Sequence, residues 1–121
     1  MLSAIQRHLE AIYRIQSPDI QQFIVNREQL NAITGDALRD ATEWVLARTS
    51  PDGLDLAVYV DAGHLRRLDR AGSLAEAARS EFEAFCAATE GVSHFLMLVE
   101  RARREEPVTL LELEAQAEVD K

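Results

Sequence analysis

Between Ser73 and Pro107 the chain runs for about nine helical turns without a proline, and its apolar residues recur every three or four positions. Phe82, Phe85, Thr89, Val92, Leu96 and Val99 form the stripe, and Ala88, Phe95, Leu98 and Ala102 widen it. Ser73-Leu74-Ala75-Glu76 has the form of a capping box, and Pro107 ends the run after the charged segment Glu100 to Glu106. The pattern predicts one long helix over 74–105 with a broad buried side, and any fold for this chain has to be assembled against it.

A second constraint is the turn signal Ser50-Pro51-Asp52-Gly53. After it, Leu54, Leu56, Val58 and Val60 alternate with Asp55, Ala57 and Tyr59, as on a strand with one apolar face. Before it, Trp44 to Thr49 can pair antiparallel, with Trp44, Leu46 and Arg48 on one face, which predicts a hairpin over about 44–60. Residues 36–48 also carry a helical alternative with Asp36 as N-cap. Two strands alone are marginal, so the hairpin needs helices on one face, or a further strand from this chain or a second copy.

The remaining elements follow from local signals. Leu2, Ile5, Leu9 and Ile12, with Tyr13 and Ile15 beside them, predict a helix over 2–16 that ends at Ser17-Pro18-Asp19. Phe23-Ile24-Val25 suits an edge strand and Arg27 to Ile33 a short helix, and periodicity does not decide at such lengths. Asp61 can cap a helix over 62–70 that stops at Gly72, and Thr109-Leu110-Leu111-Glu112 opens a last helix over 110–120. The expectation is an α+β fold, a helix-rich single domain spanning 1–121 with an antiparallel hairpin packed on a long C-terminal helix.

Charge and composition narrow the function classes. A formal net charge of -8 disfavours nucleic acid and anionic membrane surfaces as partners. No uninterrupted apolar run approaches the roughly 20 residues of a membrane span, and Met1 to His8 lacks the features of a secretory signal, so a cytoplasmic protein is expected. Basic residues are almost all Arg, with Lys121 the one lysine, a bias of GC-rich bacterial coding. Cys86 is the single cysteine, which precludes an intrachain disulfide. Dinucleotide, phosphate-loop, paired-histidine zinc and nucleophile-elbow motifs are absent, and no cofactor is implied.

The one concentration of unusual residue types is Glu90-Gly91-Val92-Ser93-His94-Phe95. Cys86, Glu90 and His94 lie four apart along one strip of the long helix, which with Ser93 makes a candidate polar site. Cys86 and His94 are about 12 Å apart along the axis, too far for a thiolate–imidazole pair. A metal at Glu90 and His94 needs ligands from elsewhere, and Glu114 and Glu118 on the last helix are the candidates. The spacing Glu-x-x-x-His differs from the Glu-x-x-His of ferritin-like di-iron helices. A Glu90–His94 pair on a solvated flank is the simpler expectation, and Gly91 suggests close approach of another element.

Charge of both signs is clustered. Glu105, Glu106, Glu112, Glu114, Glu118 and Asp120 make the C-terminal stretch acidic, while Arg66, Arg67 and Arg70 share the polar face of the 62–70 helix. Glu112, Glu114, Glu118 and the three arginines are therefore candidate partner-binding residues. The reading favoured by the sequence is a small, acidic, non-enzymatic interaction module, adaptor- or chaperone-like, that binds a protein partner and forms a homodimer. The alternative is a small metal-dependent enzyme or sensor built on Glu90 and His94.

Overall fold

The computed structural model describes residues 1–35, 37–50, 53–103 and 120. Among them are five α-helices and a two-stranded antiparallel hairpin packed against the longest helix, an α+β fold. Helix α1 (Leu2–Tyr13) buries Leu2, Ile5, Gln6 and Leu9. It stops about a turn short of the expected end because Arg14 takes a left-handed conformation (φ 56°, ψ 45°) and donates its N–H to the Glu10 carbonyl. Gln6 then anchors the chain that follows. Its Nε2 donates to Ser17 Oγ (2.9 Å) and the Pro18 carbonyl (2.7 Å), and its Oε1 accepts from the Ile20 N–H (2.8 Å).

Asp19 caps a short 3₁₀ turn (Ile20–Phe23). The Gln21 N–H, followed by the Ser3 hydroxyl and the charge of Arg7, holds its carboxyl below the usual carboxylate range. The segment left open by periodicity forms a single β-bridge rather than an edge strand, followed by the short helix. Ile24 bridges parallel to Val58, with the Val25 N–H on the Val58 carbonyl (2.9 Å), and Arg27–Thr34 forms α2. Asn26 and Gln29 close a reciprocal capping box on α2 that the sequence reading overlooked.

Strands β1 (Glu43–Ser50) and β2 (Gly53–Val60) pair from Glu43↔Val60 to Ser50↔Gly53, so the hairpin prevails over the helical alternative for 36–48; Pro51 and Asp52 lie outside the described residues. Directly opposed residues share a face. Val45, Leu56, Val58 and Val60 turn to the core, whereas Trp44, Leu46, Ala57 and Tyr59 lie on the outer face. Burial of the β-branched set explains why the strand wins over helical propensity. Tyr59 is nevertheless covered. The Arg27 guanidinium stacks 4.5 Å from its ring centroid and donates to the Leu38 and Ala41 carbonyls, both at 2.7 Å.

Helix α3 (Ala62–Arg70) is capped by Asp61 and ends on an extended Ala71, so Gly72 does not serve as the left-handed stop that was expected. The expected single helix over 74–105 is two helices, α4 (Leu74–Ser80) and α5 (Phe82–Arg103), because Glu81 leaves the helical region (φ -129°, ψ 49°). Just before the break the Ser80 hydroxyl donates back to the Glu76 carbonyl (2.8 Å), a competitor for the backbone that bends helices. The phase shift sends Phe82, assigned to the buried stripe by its spacing, into solvent at 66% exposure. Residues 104 and 105, and the helix expected over 110–120 apart from Asp120, lie outside the described residues.

Helix α5 is the centre of the molecule. From Ala84 to Leu96 it is buried on nearly every side, against α1, α3, α4, β1 and β2. Its Phe95 ring meets Phe23 at a centroid distance of 5.3 Å. The core is one cluster drawing on α1, the 3₁₀ turn, β2, α3, α4 and α5. Over Phe82–Ala102 the helix is long and apolar enough to cross a membrane by length and composition, a property hidden from a search for uninterrupted apolar runs. In the fold, 61% of that window is buried against the protein's own elements.

Arg14 carries an avoidable cost, since a β-carbon in the left-handed region is unfavourable by about 1–2 kcal/mol. Arg14→Gly is expected to stabilise the fold by about 1 kcal/mol, seen as a higher melting temperature in thermal denaturation. An unchanged or lower value would show that Arg14 does not hold this conformation.

Candidate functional site: a polar seam along helix α5

Four consecutive positions of α5 combine a glycine, a hydroxyl and an imidazole inside the core. Successive residues leave a helix about 100° apart, so Ser93 and His94 face different neighbours. Ser93 is 1% exposed, and its Oγ donates to Asp120 Oδ2 at 2.6 Å. The other carboxylate oxygen, Oδ1, accepts from the Tyr13 hydroxyl at the end of α1. One carboxylate thus receives two charge-assisted hydrogen bonds from two different helices, each stronger than a neutral one.

His94 points instead towards the hairpin. It is 8% exposed, and its Nδ1 lies 4.0 Å from Oε2 of Glu43, the first residue of β1. Gly91 lies beside the same contact. A β-carbon there would stand 3.6 Å from Val60 Cγ2 and 3.8 Å from Glu43 Oε2, so the expected close approach is made by both strands of the hairpin. The solvated flank expected for Glu90 and His94 does not hold at the imidazole, which is enclosed between α5 and β1. Glu90 and Cys86 are half-buried on the same strip. Sequence spacing within one helix could not reveal Glu43, because the hairpin register delivers it from across the core.

A cleft of about 280 Å³ opens beside the Ser93–Asp120–Tyr13 contact, bordered also by Ile15, Leu96, Met97, Glu100 and Arg101. Chemically, the seam holds a buried imidazole next to a carboxylate and a serine whose hydroxyl is committed to a second carboxylate. Ser93 and His94 therefore do not make a nucleophile–base pair. Among the described residues no three His, Cys, Asp or Glu side chains converge as metal ligands, and Glu112, Glu114 and Glu118 lie outside them.

The candidate arginines are elsewhere. Arg66, Arg67 and Arg70 are exposed on α3 and form no ion pair among the described residues. Arg67 Nη1 lies 3.0 Å from His64 Nδ1.

Three substitutions test the seam. Asp120→Ala removes both accepted hydrogen bonds and leaves the buried Ser93 hydroxyl without its acceptor, so a loss of about 2 kcal/mol is expected in urea denaturation. In the double-mutant cycle with Ser93→Ala, most of that loss should appear as coupling; additive effects would mean that the two groups do not meet. Gly91→Ala places its methyl at ordinary contact distances inside a helix, and a gain of up to about 1 kcal/mol is expected from helix propensity. A loss of stability there would mean that the hairpin approaches α5 more closely than described.

No protein family, curated protein or solved structure matches this chain, so its function has to be read from its residues and their geometry.

Proposed function

We propose that this chain is a non-enzymatic, adaptor- or chaperone-like protein-interaction module that holds a protein partner on the outer face of the β1–β2 hairpin. The observation that carries this is Trp44. It lies opposite Tyr59 in the register, yet it is 43% exposed whereas Tyr59 is buried beneath the Arg27 guanidinium. A large, rigid aromatic on a braced platform is the residue type that dominates protein interfaces. The half-buried Leu46 and Ala57 continue the apolar surface, and the exposed Arg48–Asp55 pair (3.1 Å) forms its polar margin.

The polar seam supports a structural rather than a chemical use of α5. The Ser93 and Tyr13 hydroxyls are both spent on tying helices together through Asp120. The two-fold association expected from the sequence is assigned to the same hairpin face, with two copies meeting around Trp44 when no partner is present.

Trp44→Ala should leave the melting temperature within about 2 °C, because the ring is largely outside the core, while lowering capture of the partner from cell extract by about tenfold or more. The same variant should shift the mass measured by light scattering at high concentration towards that of a monomer. Undiminished capture by the variant, together with a monomeric wild-type chain, would rule out this face as the interaction surface.

A further inference from the structure

We propose that the first turns of α3 form a docking site for a carboxylate-rich peptide segment, gripped by Arg66 and Arg67 and extended by Arg70. This deepens the reading of the chain as a protein-binding module by giving a second surface and the chemistry of what it takes. Its geometry starts from Gly63. Side chains three and four positions further along a helix lean back over the same face, so Arg66 and Arg67 both reach across a residue that has no side chain. A β-carbon on Gly63 would stand 3.9 Å from Arg66 Nη2, 3.9 Å from Arg67 Nη1 and 2.9 Å from Asp61 Oδ2, so both guanidinium groups converge over Gly63 beside the capping carboxylate.

His64 fixes one of them. A guanidinium has no acceptor, so the 3.0 Å contact between Arg67 Nη1 and His64 Nδ1 is donated by the arginine. Nδ1 is the accepting atom of this contact, and the imidazole is buried at 7% exposure. An arginine held in place loses less conformational freedom when it binds a carboxylate than one that moves freely. The local charge is positive within a chain of net charge -8. Asp61 is occupied as the cap of α3, accepting from the Gly63 and His64 N–H groups, and Asp69 faces the Met1 ammonium at 3.7 Å. The three arginines form no ion pair among the described residues, although Asp and Glu outnumber Lys and Arg by 21 to 13 in the sequence.

Spacing and charge point to a peptide. Arg70 lies one helical turn beyond Arg66, about 6 Å, close to the roughly 7 Å between alternate side chains of an extended segment. Long phosphate polyanions and anionic bilayers are repelled by the molecule as a whole, whereas a short acidic segment can engage a local cluster.

The test is binding of a fluorescein-labelled hexaglutamate peptide to the full chain by anisotropy, with amide and arginine side-chain shifts followed by NMR. Saturable binding that perturbs Arg66, Arg67 and Arg70 is expected, weakening about tenfold or more in Arg66→Gln/Arg67→Gln. Both side chains are exposed, but Arg67→Gln also removes the donor to His64, so the melting temperature is measured alongside and should fall by no more than about a few degrees. Three results would overturn the proposal: hexaglutamate shifts confined to residues outside α3, binding unaffected by the double substitution, or tighter occupation of the site by inorganic phosphate or a single-stranded oligothymidylate. Trp44→Ala separates the two surfaces. Lost partner capture with intact hexaglutamate binding supports both; capture that depends on Trp44 with no hexaglutamate binding removes only the α3 site, and hexaglutamate binding with capture indifferent to Trp44 removes only the hairpin face.

Discussion

A helix enclosed on nearly every side must let its neighbours come close, and only small side chains leave them the room. Ala84, Ala87, Ala88 and Gly91 supply that room along α5, with Val92, Phe95 and Leu96 filling the space between. Val60 and Glu43 settle against the gap at Gly91, Phe23 against Phe95, and the hairpin gains the covered face that two strands need. Interiors are close-packed, so displacing this one helix would open cavities beneath α1, α3 and both strands together.

Polar groups within such a core have to be matched. The buried Ser93 is matched by the Asp120 carboxylate, which also takes the hydroxyl of the exposed Tyr13, and His94 lies next to the Glu43 carboxylate. Buried polar contacts of this kind add less net stability than apolar packing, but they penalise any arrangement in which the partners fail to meet. They fix how far along α5 the hairpin and α1 sit. The surfaces proposed for binding rest on that registration. Trp44 follows Glu43 directly in β1, and the α3 arginines continue from Val60 through Asp61.

Local signals were enough to read most of the architecture. The hairpin, α3 with its Asp61 cap and the α+β arrangement follow from alternation, turn residues and capping chemistry, all of which act over a few residues. Two boundaries escaped because they depend on competition at single residues. Arg14 accepts a left-handed conformation that its type disfavours, and Ser80 and Glu81 interrupt a periodicity that otherwise runs straight through them. At the polar seam, Ser93 and His94 could be singled out by type, but Glu43 and Tyr13 could not. Their positions depend on strand register and on helix packing, neither of which leaves a trace in the spacing of nearby residues.

The carboxylate of Asp120 meets the hydroxyl of a tyrosine 107 positions earlier in the chain. Contacts this distant in sequence close a loop of most of the chain, at a higher entropy cost than local contacts carry. Closing that contact costs more chain entropy than pairing the hairpin strands or capping the short helices, whose partners lie far closer in sequence.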